Sequence, residues 1–148
     1  LFLMEKMNVN ELLKDKRMVL STLWIFVTLN YLYCDLMGLM DPILLNQYIT
    51  GTIGSFHIDE DFLLYAAVLM EIPISMVLLS RVLNYKANRW ANIIAGSIKT
   101  LVMIATMFVG SPTSYYLFFG IIEIISTAFI VYYAWNWKIQ DPTKSIAS

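Results

Sequence analysis

Four ionisable residues stand inside long apolar stretches of the sequence: Asp35, Glu71, Lys99 and Glu123. A charged side chain at bilayer depth costs about 2.5 kcal/mol or more, so we expect the four to meet inside a helical bundle and not to face lipid. Three carboxylates against one ammonium would leave this interior at a formal charge of about −2, which a low dielectric disfavours. Either some carboxyls hold a proton or a cation joins them. The excess of acid therefore predicts a site that couples to a proton or a cation.

A structural interpretation of the same residues stands beside this one. Lys99 paired with Glu71 or Glu123 would fix the register between helices. Asp35 would bond Tyr31, or would lie close enough to the membrane surface to be hydrated. In this interpretation the charges stabilise the bundle and bind nothing.

Helical spacing supports convergence, because side chains three or four positions apart share one face of a helix. Each ionisable residue shares a face with small or polar neighbours: Thr28, Tyr31, Asp35 and Gly38; Ala67, Glu71 and Ser75; Asn92, Gly96, Lys99 and Thr106; Tyr116, Gly120, Glu123 and Thr127. Pro73 also leaves the carbonyl of Leu69 without its usual donor, so a kink or an extra polar ligand is expected there. Intramembrane asparagines such as Asn92 often link neighbouring helices, and that alternative stays open. We predict a ligand- or ion-binding site formed by Glu71, Lys99, Glu123, Asp35, Tyr31 and Asn92.

The site residues lie in apolar stretches long enough to cross a membrane, since a helical span takes about 20 residues. The chain is 59% hydrophobic and only 14% charged, whereas a soluble domain carries about 25% charge. We predict an all-α fold, a single membrane domain over residues 1–148 built as a bundle of four transmembrane helices. The predicted helices are residues 18–40, 62–83, 90–109 and 113–137. The first is too long for a cleaved signal peptide, so we expect it to remain in the protein.

The segments around the helices carry their own signals. Residues 1–17 mix Leu, Met and Lys, with Asn8 and Glu11 in capping-box spacing, so we predict a short helix lying on the cytoplasmic surface. The outer loop, residues 41–61, begins with a helix stop at Pro42, and residues 43–49 suit a second interfacial helix. A turn at residues 110–112 joins the last two helices, and residues 138–148 form a cytoplasmic tail.

Basic residues indicate the orientation in the membrane. Of the ten Lys and Arg, all but Lys99 fall on one side of a four-pass topology, and the loop at residues 41–61 has none. By the positive-inside rule, both termini then face the cytoplasm, and the chain is expected in the cytoplasmic (inner) membrane.

Other chemistries have little support in the sequence. The single cysteine, Cys34, cannot form an internal disulfide, and the single histidine, His57, cannot supply a haem with two ligands from one chain. The acids at residues 59–61 are explained as caps of the second helix, so we expect no metal beside His57. Phosphate-loop, serine-nucleophile, CxxC and HExxH motifs are absent from the sequence. We predict no catalytic residue, no cofactor and no nucleic-acid partner.

Three runs of the sequence are distinctive: LNYLYCDLMGLMDP at residues 29–42, MEIPISMVLLSRVLNYKANRWANIIAG at residues 70–96, and IIEIISTAFIVYYAW at residues 121–135. Together they resemble a family of small bacterial membrane proteins known only as a domain of unknown function. The resemblance covers most of the chain from Trp24 to Trp137. It implies a four-helix membrane fold and carries no activity. A looser likeness to the DoxX-type membrane proteins rests on architecture alone.

Three classes of function remain open. The first is a small transporter or channel-like protein, homo-oligomeric, with a proton- or cation-coupled site near the middle of the membrane. The second is a protein that binds a lipid, a quinone or an amine, or an accessory subunit of a larger membrane complex. The third is an intramembrane enzyme with Glu71 or Glu123 as general acid and base. We favour the first, whose partners are the lipid bilayer, a small cationic or lipid-like ligand and further subunits.

Overall fold

The structure is a computed structural model that describes residues 2–53, 56–108 and 112–137. Within the first helix, side chains are described at Glu11 and from Lys14 onward. The predicted turn at residues 110–112 falls largely outside the described residues, and the predicted tail at residues 138–148 lies wholly outside them.

The described residues form an all-α bundle. Four long helices are α1 (Phe2–Met40), α3 (Glu60–Val82), α4 (Tyr85–Met107) and α5 (Ser114–Trp135), and a short helix, α2 (Pro42–Thr50), follows α1. A two-stranded antiparallel hairpin, β1 (Thr52–Ile53) and β2 (Phe56–His57), leads into α3. The segments long and apolar enough to cross a membrane are Lys14–Met40, Glu60–Val82, Tyr85–Met107 and Ser114–Trp135. The prediction of an all-α bundle with four apolar helices is confirmed, as expected for a multi-pass membrane protein.

The long helices surround one interior in the order α1, α3, α4, α5. Packing is closest between α4 and α5 and between α1 and α3, and it is much looser between α3 and α4. Gly96 brings α4 against α5, since a Cβ there would lie 3.2 Å from the backbone oxygen of Thr127. The buried apolar core contains Leu20, Trp24, Val27, Met76, Ala95, Ile130 and Trp137. This core fills the half of the bundle nearest the loop between α3 and α4.

The other half carries α2, β1 and β2, and we call it the hairpin end. Asp41 caps α2 by accepting the N–H of Ile43 at 2.9 Å, and Gly51 ends that helix with a positive φ of 73°. Asp59 caps α3 by accepting the N–H of Phe62 at 2.8 Å. The helix stop after α1 follows the sequence-based expectation. Of the acids at residues 59–61, Asp59 caps α3 as expected, while Glu60 and Asp61 lie in its first turn.

Two helix starts differ from the predictions. Residues 1–17 are not a separate surface helix, because α1 continues from Phe2 through the first span without interruption. No Gly or Pro occurs before Gly38 to break it, and Asn8 therefore lies inside the helix instead of at a cap. The third span also starts earlier than expected, at Tyr85, since the Asn84 side chain accepts the N–H of Ala87 at 3.0 Å.

Candidate functional site

A cavity of about 240 Å³ lies between the four long helices at the hairpin end of the bundle. Its polar and reactive groups come from three helices: Tyr31, Cys34 and Asp35 on α1, Lys99 and Thr106 on α4, and Tyr116 and Glu123 on α5. Apolar side chains of α3 and α4 complete the wall: Ala66, Leu69, Met70, Val102 and Met103. Four of the six predicted site residues therefore meet in one place.

Glu123 is the most deeply buried acid of the cavity. Its residue is 1% exposed, and α5 directs the side chain inward one helical turn before the buried Thr127. Neither carboxylate oxygen has a hydrogen-bond partner among the described residues. A buried carboxylate without a partner is costly while it is ionised, so this group needs a proton or a cation.

Lys99 approaches the cavity from α4 and is 3% exposed. Its Nζ lies 3.9 Å from the centroid of the Tyr31 ring, in a cation–π contact. The same atom lies 3.5 Å from the carbonyl oxygen of Leu69, which lacks its helical donor because Pro73 follows four residues later. The extra polar ligand expected at Leu69 is thus the ammonium of Lys99.

The ammonium of Lys99 makes its close contacts with Tyr31 on α1 and Leu69 on α3. Within the described part of the chain it forms no ion pair. The register-fixing pair of Lys99 with Glu71 or Glu123, considered from the sequence, is therefore not what holds these helices together.

Tyr31 and Asp35 lie one turn apart on α1. The Tyr31 hydroxyl is buried and has no hydrogen-bond partner among the residues that the structure describes. Asp35 is exposed while still lining the cavity, so it stands at the rim. The Tyr31–Asp35 hydrogen bond does not form, and among the described residues Tyr31 and Glu123 are the buried groups of the cavity whose oxygens have no partner.

The structure does not bring Glu71 into this cavity. The buried residues of α3 are Pro73, Met76 and Ser80, which define its inward face, and Glu71 lies on the opposite side. There its carboxylate accepts a hydrogen bond from Ser75 Oγ at 3.0 Å on the exposed surface. The stripe of Ala67, Glu71 and Ser75 shares one face as predicted, but that face points outward.

Asn92 also lies apart from the cavity, in a satisfied polar network. Its Oδ1 accepts Trp24 Nε1 at 2.7 Å, and its Nδ2 donates to Asn88 Oδ1 at 2.6 Å. Asn88 Nδ2 in turn donates to the backbone oxygen of Ser80 at 2.6 Å. The network joins α1, α3 and α4. Asn92 therefore links neighbouring helices, which is the alternative role stated for it in the sequence analysis.

Several cavity residues were not among those predicted. Tyr116 and Thr106 share helix faces with Glu123 and Lys99, so their spacing was a usable signal. Cys34, next to Asp35 in the sequence, also lines the cavity. The apolar wall from α3 carries no signal in the sequence, because every residue of that stretch is equally suited to face lipid.

The charges of the cavity do not balance. Asp35, Glu123 and Lys99, all ionised, give it a formal charge of about −1, which one proton or one monovalent cation neutralises. Chemically, the arrangement is suited to binding and exchanging such a cation at Glu123.

Comparison with known proteins places the chain in a family without adding an activity. No curated protein and no solved structure matches the chain. Nothing in these comparisons supports the looser likeness to the DoxX-type proteins. The sequence pattern of one family, described as a family of unknown function (DUF6326), matches residues 7–144. Because the match covers nearly the whole sequence, the chain, a bundle with four apolar helices around a charged cavity, belongs to this family.

Proposed function

We propose that the protein is a small membrane transporter in which Glu123 exchanges a proton for a cation. One observation carries the proposal, the completely buried Glu123 carboxylate that faces a cavity without a hydrogen-bond partner among the described residues. The nearest ammonium, Lys99, is engaged by the Tyr31 ring and the Leu69 carbonyl.

Competition at one carboxylate supplies the coupling. An ionised and desolvated Glu123 is unfavourable, and either a proton or a cation relieves that cost. Because both occupy the same group, the binding of one favours the release of the other. This is the linkage that an exchanger requires.

The shape of α3 supports movement of the ligand as well as binding. All buried residues of α3 lie at Pro73 or beyond it, so the half that lines the cavity has no buried residue. A helix segment with few buried contacts opens at low cost, and a proline provides a natural bending point. We propose that the half of α3 before Pro73 is the wall that moves during transport.

A second candidate is a binding protein that holds its ligand without transporting it. The apolar part of the wall, from Leu69, Met70, Val102 and Met103, favours it, since ligand pockets are mostly apolar with a few placed polar groups. Binding without flux would identify this second function.

The test uses protein reconstituted in liposomes that contain a pH-sensitive dye. Pulses of Na⁺, K⁺ or benzyltrimethylammonium are added outside, and proton movement is followed. We expect at least one of these cations to drive proton release with the wild type. Glu123→Gln should abolish it, while Glu71→Gln, the same change on the outward face of α3, should leave it intact.

Two results would overturn the proposal. One is a wild type that moves protons with none of the three cations. The other is proton movement by Glu123→Gln at the wild-type rate.

A further inference from the structure

We infer that the ligand of the cavity is an organic monocation with an apolar group, such as a quaternary or protonated amine, and not an inorganic ion. This inference rests on the proposed function and names its substrate class. It is argued from the size of the cavity, the nature of its wall and the placement of its charges.

Size separates the two kinds of cation. A cavity of about 240 Å³ has room for roughly eight waters at ~30 Å³ each. A bare alkali ion would leave almost all of that space empty or filled with water. An organic cation with one small ring or a few alkyl groups would occupy it.

The wall favours an occupant that is polar at one end only. Glu123 supplies the anionic group, and Tyr116 lines the same cavity and offers an aromatic ring. Leu69, Met70, Val102 and Met103 make the rest of the lining largely apolar. Inorganic cations require several oxygen ligands around them, whereas an ammonium needs one carboxylate and gains from aromatic faces.

Charge placement argues against an anion. Lys99 is the cationic group of the cavity, and its ammonium is already directed at the Tyr31 ring and the Leu69 carbonyl. The carboxylate of Glu123 has no such partner among the described residues. The uncompensated charge of the cavity is therefore negative, and one bound monovalent cation brings its formal charge to zero.

Calorimetry on the purified, detergent-solubilised protein tests the ligand class without requiring transport. The probes are benzyltrimethylammonium, tetramethylammonium, Na⁺ and K⁺ as chloride salts at constant ionic strength. We expect benzyltrimethylammonium to bind at least about tenfold more tightly than tetramethylammonium, because only the former places a ring against the apolar wall. Na⁺ and K⁺ should give no saturable heat. Binding should release up to one proton, detected as a dependence of the heat on the buffer.

Three variants locate the binding. Glu123→Gln should weaken benzyltrimethylammonium at least about tenfold, and Glu71→Gln should not change it. Val102→Phe, which fills part of the cavity and keeps every charge, should weaken benzyltrimethylammonium more than tetramethylammonium. Val102→Phe keeps the test decisive even if Glu123→Gln disturbs folding, because it leaves every charge of the cavity in place.

The outcomes are distinguishable from those of the liposome experiment. Saturable binding of Na⁺ or K⁺ without the organic cation would overturn the ligand class and leave proton–cation exchange standing. Organic-cation binding without proton flux would support the ligand class and reject transport. Absence of binding by all four probes, or equal binding by Glu123→Gln, would overturn the inference.

Discussion

Lys99 contacts the Tyr31 ring and the Leu69 carbonyl and forms no salt bridge within the described residues. We therefore expect its replacement to act through the charge of the cavity and not through a lost ion pair. Lys99→Met should lower the thermal stability, since it leaves Asp35 and Glu123 together without a cation and frees the Leu69 carbonyl again. It should also tighten benzyltrimethylammonium binding, because the formal charge of the cavity falls from about −1 to about −2. Thermal unfolding and calorimetry in detergent measure the two effects.

Lys99→Arg is the matched control for this change. It retains the positive charge and should keep both the stability and the affinity closer to those of the wild type. Weaker cation binding by Lys99→Met would show that the lysine contributes to the ligand site in a way that this charge argument does not describe.

The contributions of Asn92 on α4 and Asn30 on α1 to stability form a second comparison between single residues. Asn92 links three helices, whereas in the described part of the chain Asn30 donates to the Phe26 carbonyl of its own helix at 2.8 Å and to no other helix. Asn92→Leu should destabilise the protein by about 1 kcal/mol, the usual range for interhelical hydrogen bonds in membranes, and Asn30→Leu should not. Chemical unfolding in detergent measures the difference, and equal effects of the two changes would contradict it.

At the scale of the helices, two glycines define how closely α4 and α5 approach. A Cβ at Gly96 would meet the Thr127 backbone at 3.2 Å and Val131 Cγ2 at 2.7 Å, and neither can easily retreat. A Cβ at Gly120 would meet the flexible ends of Met103 and Met107.

Gly96→Ala should therefore cost about 1–3 kcal/mol of stability through overpacking, and Gly120→Ala distinctly less. The midpoint of thermal unfolding, measured for both variants beside the wild type, checks the order. A Gly120→Ala protein less stable than Gly96→Ala would reverse the assignment of the tight contact to Gly96.

The helix α3 is divided by Pro73 into a packed half and a half that lines the cavity. Alanine at position 73 would supply an N–H to the Leu69 carbonyl and straighten the helix. Pro73→Ala should slow cation-driven proton release several-fold while leaving benzyltrimethylammonium affinity within about twofold. Liposome flux and calorimetry on the same preparation separate the effects, with Ile74→Ala on the exposed face as control. Unchanged flux in Pro73→Ala would show that α3 does not bend during transport.

For the molecule as a whole, the position of Glu71 on the outer surface predicts an interface with a second copy of the chain. It lies on the outward face of α3, the span with the smallest buried share, 11% against 28% for the others. A carboxyl at that depth is costly against lipid. We expect a second copy of the chain to cover it, because a two-fold axis beside α3 would place the Glu71–Ser75 pairs of the two copies against each other and away from lipid.

Glu71→Leu should shift the protein from dimer toward monomer, and Glu71→Gln, which still accepts hydrogen bonds, should shift it less. Light scattering after size-exclusion chromatography in mild detergent measures the mass of the protein component. Glu60→Gln, in the exposed first turn of α3 and outside the bundle interior, serves as control. A wild type that is monomeric at every concentration would exclude this interface.

The sequence predicts the fold better than the site for a physical reason. Apolar length and helix stops, such as Asp41 before Pro42, determine how many helices exist. Periodicity then shows which residues share a face, and the faces that carry Tyr31, Asp35, Lys99 and Glu123 line the cavity. It does not show which face turns inward when a helix is apolar all round. Glu71 lies on a stripe as convincing as the others, and only the packing of α3 directs it outward.

The uninterrupted α1 has a mechanical consequence. At ~1.5 Å per residue, its 39 residues extend for about 58 Å, well beyond a hydrocarbon core of ~30 Å. The cavity lies against its far part, at Tyr31 and Asp35, and the start of the helix reaches past the other spans. Phe2 lies about 44 Å along α1 from Tyr31, so a rigid tilt of α1 by about 10° at the cavity displaces its first turn by roughly 8 Å. A ligand that tilts α1 at the cavity would therefore move the start of the helix far enough for a distance probe to record.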